Sequence, residues 1–157
     1  DKLVDIAISG PWQHENLPRD GENLLQLSML PVAAPQHELH SYGINLSRTQ
    51  LRQHRQIVIR DSGKVNINAG WLGADQRWTV SNIQTSIQMI RQGLGYAWLP
   101  KAHINDHLID GSLKVLAVED EPLRKANLFL YLRKDYIGGE ATESLLELFR
   151  TLSQNYT

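Results

Sequence analysis

Polar and charged side chains follow two short apolar segments of the chain, and as a group they could bind a small anion. Arg60, Asp61 and Ser62 come directly after the apolar run QIVI, and Ser81 and Asn82 open an amphipathic segment. A guanidinium pairs with carboxylates and phosphates, and the free N–H groups at the start of a helix favour negative charge. Taken singly, these residues equally fit a turn and a helix cap that need no ligand. We therefore treat them as candidate ligand-binding residues because they occur together.

The histidines raise the question of a metal site or a catalytic centre. Two of the six, His103 and His107, are four residues apart in a segment that predicts a helix, so they could share a metal ion. No glutamate lies between them in the zincin pattern, and the pair fits an exposed polar face equally well. The chain has no cysteine and no Gly-x-Ser-x-Gly motif, so it offers neither a thiolate nor a serine elbow. We expect no catalytic residue, no metal ligand and no cofactor.

Length and charge limit the possible classes of protein. The 157 residues amount to one domain that can bury a real core. The formal net charge is −1 and the basic residues are scattered, so the sequence predicts no nucleic-acid surface. No apolar run approaches the roughly 18 residues of a membrane span. The opening KLVDIAISG resembles a core strand with no preceding cap, and we expect the chain to be a fragment of a longer protein.

The stretch SNIQTSIQMIRQGLGYAWLP, residues 81–100, predicts a helix followed by a glycine turn and a buried strand. Its isoleucines recur at the spacing of one helix face: Ile83, Ile87 and Ile90. Ser81 and Gln84 have the spacing of a capping box. Gly93 falls where helices end on a left-handed residue, and Gly95 is expected to let the helix and the strand approach closely. The apolar run 94–99 fits a strand buried on both faces.

Similar patterns predict the other elements of the chain. The expected strands cover residues 3–8, 24–32, 56–60, 78–80, 113–118 and 127–132. The expected helices cover residues 47–54, where Ser47 and Gln50 repeat the capping-box spacing, 82–92, 100–108 and 142–154. Because strands and helices alternate, the sequence predicts an α/β fold with a largely parallel sheet covered on both faces.

The order of these segments resembles the effector-binding domain of LysR-type transcriptional regulators. The segments that carry the resemblance are DIAISG, LPVAAPQHEL, TVSNIQTSIQMIRQGLGYAWLP, HLIDGSLKVL and the closing amphipathic helix. The residues that match the family signatures are Gly93, Leu94, Gly95 and Pro100 in the centre, and Leu108, Gly111 and Leu113 in the following turn. Glu38 departs from the family pattern because it stands where a proline usually follows the histidine.

The resemblance implies a periplasmic-binding-protein-like (type 2) α/β fold of two lobes, one complete and the other partial. Residues 1–10 would form a strand of lobe I and the first crossing, and 11–124 would form lobe II. Residues 125–157 would form the second crossing, the return strand and the C-terminal helix of lobe I. In this arrangement an effector would bind between the lobes, and the candidate ligand-binding residues are Ser9, Gly10, Arg60, Asp61, Ser62, Ser81 and Asn82.

The resemblance also implies that the chain is a sensor and not an enzyme. A small-molecule effector would control DNA binding and transcription by the full-length protein. The candidate residues suit an anionic effector. That protein would be a homodimer or homotetramer in the bacterial cytoplasm, would contact DNA only through an N-terminal domain absent here, and would have no membrane partner. Two alternatives stay open: a solute-binding receptor of the same fold and a small α/β metal-dependent hydrolase. The apolar face of the closing helix is expected to be partly uncovered and prone to association.

Overall fold

The computed structural model describes residues 5–10, 21–60, 73–119, 123–133 and 137–154. The chain divides into two compact units: unit 1 comprises Asp1–Leu27 and Lys125–Thr157, and unit 2 comprises Ser28–Arg124. The first dividing point therefore lies inside a strand, after Leu27. The lobe boundaries expected from the sequence, with lobe II at 11–124, stay a prediction.

Strands and helices alternate along most of the described chain. In chain order, the strands are β1 Ile6–Ser9, β2 Glu22–Ala33, β3 Gln56–Ile59, β4 Arg77–Val80, β5 Tyr96–Pro100, β6 Lys114–Val115 and β7 Arg124–Leu132. The helices are α1 Arg48–Arg52, α2 Ile83–Arg91, α3 Lys101–Ile109 and α4 Glu140–Gln154, and a 3-10 helix spans Glu38–Tyr42. None of the helices in the described part of the chain is long and apolar enough to cross a membrane.

The sheet of unit 2 is mixed, so the prediction of a largely parallel sheet is wrong. In this unit the strand order is β2, β5, β3 and β4. β3 pairs in parallel with β4 and β5, whereas β2 pairs antiparallel with both β5 and β6. A helical crossover such as β4–α2–β5 returns the chain in the same direction. β2 and β5 are far apart in the sequence, and the simple alternation of elements does not set their relative direction.

Two hydrophobic cores cover the two faces of the unit 2 sheet, as predicted. The core that includes α2 and α3 contains Val32, Ile57, Ile87, Ile90, Ala97, Leu99, Ile104 and Leu113. The core that includes the 3-10 helix and α1 contains Ala33, Leu39, Leu46, Leu51, Tyr96, Leu116 and Val118. Neighbouring residues of a strand point to opposite faces, and the pair Val32 and Ala33 accordingly divides between the two cores. Burial in the second core raises the pKa of Tyr96 to about 12.

The two glycines after α2 have different roles. Gly93 has φ +76° and donates to the Ile90 carbonyl at 2.8 Å, while Leu94 donates to the Met89 carbonyl at 3.2 Å. These two bonds form a Schellman motif, which confirms the predicted left-handed helix end. Gly95 was expected to admit the helix, but a Cβ there would collide with the carbonyl of Arg55. The absence of a side chain at Gly95 therefore leaves room for the backbone that leads into β3, and not for the helix.

The two predicted capping boxes have different outcomes. At α1 the box is confirmed: Gln50 N–H donates to Ser47 Oγ at 3.3 Å, and Ser47 N–H donates to Gln50 Oε1 at 2.9 Å. At α2 the predicted cap Ser81 is wrong by one residue. Asn82 is the N-cap, with φ −151°, and its Oδ1 accepts from the N–H of Thr85 at 2.9 Å. Asparagine caps helices as well as serine does, so the spacing rule alone could not separate the two.

The boundaries near α3 also differ from the sequence predictions. Pro100 closes β5 and is the N-cap of α3, which begins at Lys101. The strand predicted at 113–118 is shortened to Lys114–Val115. Leu113 does not join it because its N–H donates to the carbonyl of His107 at 2.9 Å, in the turn that ends α3.

Unit 1 contains β1, the first half of β2, most of β7 and α4. β1 and β7 pair antiparallel. Arg150 of α4 donates to both carboxylate oxygens of Glu22 in β2, at 2.8 and 2.9 Å, and this hydrogen bonding is the main cause of the lowered pKa of Glu22. Leu146 of α4 is buried. Three other leucines form an exposed apolar stripe on the same helix: Leu145, Leu148 and Leu152.

Candidate functional site

A groove of about 440 Å³ lies on unit 2 where β3 and β4 end and α2 begins. Among the described residues, its lining consists of Arg60, Thr79, Val80, Ser81 and Thr85. The parallel register places Ile59 beside Val80, and the N–H of Arg60 donates to the Val80 carbonyl at 2.8 Å. The carboxyl ends of parallel strands are the usual place for ligand crevices in α/β proteins. Local strand pairing therefore forms this groove.

The side chains of the groove suit an anion. Arg60 supplies a positive charge, and Thr79, Ser81 and Thr85 supply hydroxyl groups, while no carboxylate of the described residues lines it. Arg77 Nε donates to Thr79 Oγ1 at 3.1 Å, which leaves the Thr79 hydroxyl hydrogen available to an acceptor. The first turn of α2 adds backbone N–H groups without intrahelical partners and the positive end of the helix dipole.

The structure brings together some of the predicted ligand-binding residues. Arg60 and Ser81 line the groove. Asn82 is adjacent, but its side-chain oxygen caps α2, so it positions the helix start. Its Nδ2 donates to Ser81 Oγ at 3.4 Å. The role of these residues in binding stays a prediction.

The other predicted residues lie elsewhere. Ser9 and Gly10 belong to unit 1, at the end of β1, where Ser9 Oγ donates to the Gly10 carbonyl at 2.8 Å. Asp61 and Ser62 lie outside the described residues. The structure therefore supplies a geometric context for Arg60 and Ser81 and leaves the other assignments as predictions.

Thr79 and Thr85 line the groove but were missed from the sequence. Two spacings could have identified them. Thr79 is two residues before Ser81, so the two can share a side of an extended strand end. Thr85 is four residues after Ser81, the spacing of neighbours along a helix. The sequence reasoning examined only the residues directly after each apolar run.

The two histidines of α3 have different surroundings. His103 is exposed, and His107 Nδ1 lies 3.0 Å from Ser112 Oγ and 3.8 Å from Asp110 Oδ2. Hydrogen bonds from Ser112 are the main cause of the lowered pKa of Asp110. No group of three histidine, aspartate or glutamate side chains among the described residues could hold a metal ion.

A second group of histidines stabilises the loop after β2. His37 Nδ1 accepts from the N–H of Leu39 at 3.1 Å and so caps the 3-10 helix. Its ring meets the ring of His54 edge-on at 5.6 Å between centroids. Burial lowers the pKa of His37, and the neighbouring His54 and His40 lower it further. These surroundings thus favour the neutral imidazole of His37.

The family model of the LysR substrate binding domain matches residues 1–154. The chain belongs to the LysR substrate-binding domain family. It is 27% identical over 148 residues to the HTH-type transcriptional regulator YhaJ of Escherichia coli O157:H7, a match that covers 92% of this chain and 49% of YhaJ. The LysR chain thus spans about half the length of this curated relative.

Solved regulatory domains confirm the fold of this LysR domain. The CcmR regulatory domain of Synechocystis PCC6803, in complex with 2-PG, has a TM-score of 0.68 at 15% identity and covers 98% of this chain and 75% of that one. The MetR regulatory domain of N. meningitidis, a LysR family regulator, has a TM-score of 0.69 at 17% identity and covers 98% of this chain and 70% of that one. These matches confirm the periplasmic-binding-protein-like α/β fold, with one lobe partial.

The family assignment also decides between the readings of the sequence. A LysR substrate-binding domain is the effector-sensing part of a transcriptional regulator, which confirms the resemblance found in the sequence. The family match supports neither of the two alternatives, a solute-binding receptor of the same fold and a small α/β metal-dependent hydrolase.

Proposed function

We propose that this LysR domain binds a small anionic effector in the groove at the start of α2. The observation that supports the proposal is that Arg60 shares the groove with three hydroxyl side chains and with no described carboxylate. Ligand oxygens would accept hydrogen bonds from the guanidinium and the hydroxyls, and charge-assisted bonds of this kind are about twice as strong as neutral ones. The complex of the related CcmR domain with 2-PG supports a small-molecule ligand.

The proposed regulation follows from differential binding. A ligand that contacts both Arg60 and the first turn of α2 stabilises the conformations in which these two groups converge on it. The ligand shifts the equilibrium between conformations only as far as its affinities for them differ. In the proposed parent protein, which acts in the bacterial cytoplasm as a homodimer or homotetramer, this shift alters DNA binding through a helix-turn-helix domain. The domain has no catalytic role in this scheme.

A calorimetric titration with a panel of small carboxylates and phosphates tests the proposal. Arg60→Gln removes the positive charge but keeps a polar side chain, and we expect it to weaken binding at least tenfold, as for a lost charge-assisted hydrogen bond of about 1.5 to 3 kcal/mol. Ser81→Ala is expected to weaken binding by a smaller factor. Lys101→Gln is the matched control, because Lys101 is exposed at the start of α3 and does not line the groove.

The outcome that contradicts this proposal is equally specific. Identical titration curves for wild type, Arg60→Gln and Ser81→Ala would show that an effector binds elsewhere. A gel-shift experiment with the full-length parent and the same variants then tests whether the groove controls DNA binding.

A further inference from the structure

A second cavity, of about 480 Å³, lies on unit 2 at the carboxyl end of α2, whereas the effector groove is at the amino end of the same helix. Three turns contribute to it: the turn after β2, the end of α2 and the turn after α3. The lining residues that matter for its chemistry are Gln36, Gln88, Arg91, Gln92, Gly111 and Ser112. The proposed function uses none of them.

The three turns that surround the cavity are held by hydrogen bonds. The N–H of His37 donates to the Ala34 carbonyl at 2.9 Å in the turn after β2. The end of α2 is the Schellman motif at Gly93. The N–H of Ser112 donates to Asp110 Oδ1 at 2.8 Å in the turn after α3. A site whose walls are already ordered loses less entropy when a ligand binds.

The cavity combines two kinds of charge. Both α2 and α3 end beside it, and the last carbonyls of a helix carry partial negative charge that favours a cation such as an ammonium group. Arg91 adds a full positive charge on the cavity wall, and it lies close enough to the exposed Asp110 carboxylate to interact with it through space, without a direct ion pair. The partial negative charge of the helix ends would repel a ligand that carries only a negative charge. Arg91 would repel a ligand that carries only a positive charge.

The remaining polar groups of the cavity can hydrogen-bond either a negatively or a positively charged group of a ligand. Gln36, Gln88 and Gln92 each have an amide that donates and accepts hydrogen bonds. Ser112 adds a hydroxyl whose oxygen is 3.0 Å from His107 Nδ1. The cavity volume lies within the range of small-molecule sites, about 300 to 1,000 Å³.

We propose that this cavity binds a small zwitterion, such as a free α-amino acid, at a site separate from the effector groove. The carboxylate pairs with the guanidinium of Arg91, and the ammonium group faces the carbonyls that end α2 and α3. The three glutamine amides hydrogen-bond the polar atoms between them.

An NMR titration of the whole chain tests this site directly. Glycine, L-serine and L-glutamine are added to 15N-labelled protein, and the backbone amides of Gln88, Gln92 and Ser112 are expected to shift in a saturable way. Acetate and methylammonium carry one charge each, and we expect each to bind at least tenfold more weakly than the best amino acid, because each lacks one charge-assisted hydrogen-bonding group.

The variants separate the cavity from the groove. Arg91→Gln is expected to weaken amino-acid binding at the cavity at least tenfold, as for a lost charge-assisted bond, whereas Lys101→Gln keeps wild-type affinity there. Three results would overturn the proposal: no saturable shift at the cavity with any amino acid of the panel, equal affinity for acetate, or unchanged affinity in Arg91→Gln. Shifts confined to Arg60, Thr79 and Ser81 would also overturn it and would leave the effector proposal intact.

Discussion

The main-chain oxygen of Arg55 occupies the space in which a side chain at Gly95 would begin. The residue after this glycine, Tyr96, donates its N–H to the same oxygen at 3.0 Å. This contact joins the start of β5 to the backbone that enters β3. The central pairing of the unit 2 sheet thus depends on a residue without a Cβ.

Gly95→Ala is expected to destabilise the protein by about 2 kcal/mol or more, because the added methyl group must displace backbone that cannot move freely. Urea denaturation followed by tryptophan fluorescence measures the change. Gly10→Ala is the matched control, since a Cβ there has no neighbour within 4 Å among the described residues, and it is expected to stay within about 0.5 kcal/mol of wild type. Equal midpoints for the two variants would contradict the steric argument.

We expect Asn82 to stabilise the start of α2 as its cap, and Ser81 to contribute to ligand binding but not to stability. Asn82→Ala removes the acceptor for the Thr85 N–H and should cost about 1 kcal/mol of stability, as caps usually do. Ser81→Ala should change stability by less than about 0.5 kcal/mol, since Ser81 is exposed and does not cap the helix. Thermal unfolding of both variants checks this order, and the reverse order would restore Ser81 as the cap.

Acid is expected to destabilise unit 2 through two histidines. The pKa values of His37 and His40 are lowered in the folded protein, chiefly by burial, with further lowering by His54 and Lys114 respectively. The unfolded chain therefore binds protons more tightly, and stability is fully present above the ordinary pKa of 6.5 and falls as the pH drops from there toward the lowered values. Urea denaturation at a series of pH values from about 8 to about 5 measures this slope.

His37→Asn provides the variant for the pH experiment. Asparagine can still accept from the N–H of Leu39, and it removes one titrating ring. We expect a shallower loss of stability below about pH 6.5 and a nearly unchanged stability at about pH 8, where histidine is neutral. A variant slope identical to wild type would exclude His37 from the acid response.

The exposed leucines of α4 are expected to promote self-association of this chain. Leu145, Leu148 and Leu152 are 41%, 51% and 49% exposed, and contiguous apolar stripes of this kind favour contacts with other molecules. Leu148→Lys should lower the association measured by sedimentation at increasing protein concentration. Gln154→Lys adds the same charge at an exposed position on the opposite side of α4 from Leu145 and should leave association unchanged. Monomeric wild-type protein at every concentration would refute this expectation.

Sequence patterns predicted the elements of unit 2 better than their relative directions. The spacing of Ile83, Ile87 and Ile90 identified α2, because one buried face repeats along a helix whatever surrounds it. The antiparallel pairing of β2 with β5 depends on contacts between distant segments, which local periodicity does not contain. The capping rule failed at Ser81 for a related reason. Two adjacent residues met its requirement, and backbone geometry selected Asn82.

The groove was predictable only in part. Arg60 and Ser81 could be proposed because each follows or precedes a recognisable apolar run. Thr79 could have been proposed from its spacing to Ser81, but its position near Arg60 required the register that sets Ile59 beside Val80, since that pairing brings the two strand ends together. The pairing of two strands therefore decides which of their side chains lie together in such a site. A single sequence does not reveal that pairing.

Because Asn82 caps α2 and Ser81 lines the groove, Ser81 can be replaced by a reporter of ligand binding. The chain has no native cysteine, so Ser81→Cys would create a single thiol at the rim of the groove and would leave the capping oxygen, Asn82 Oδ1, in place. A fluorophore attached there would report compounds that enter the groove, so a chemical library could be screened for ligands of this site.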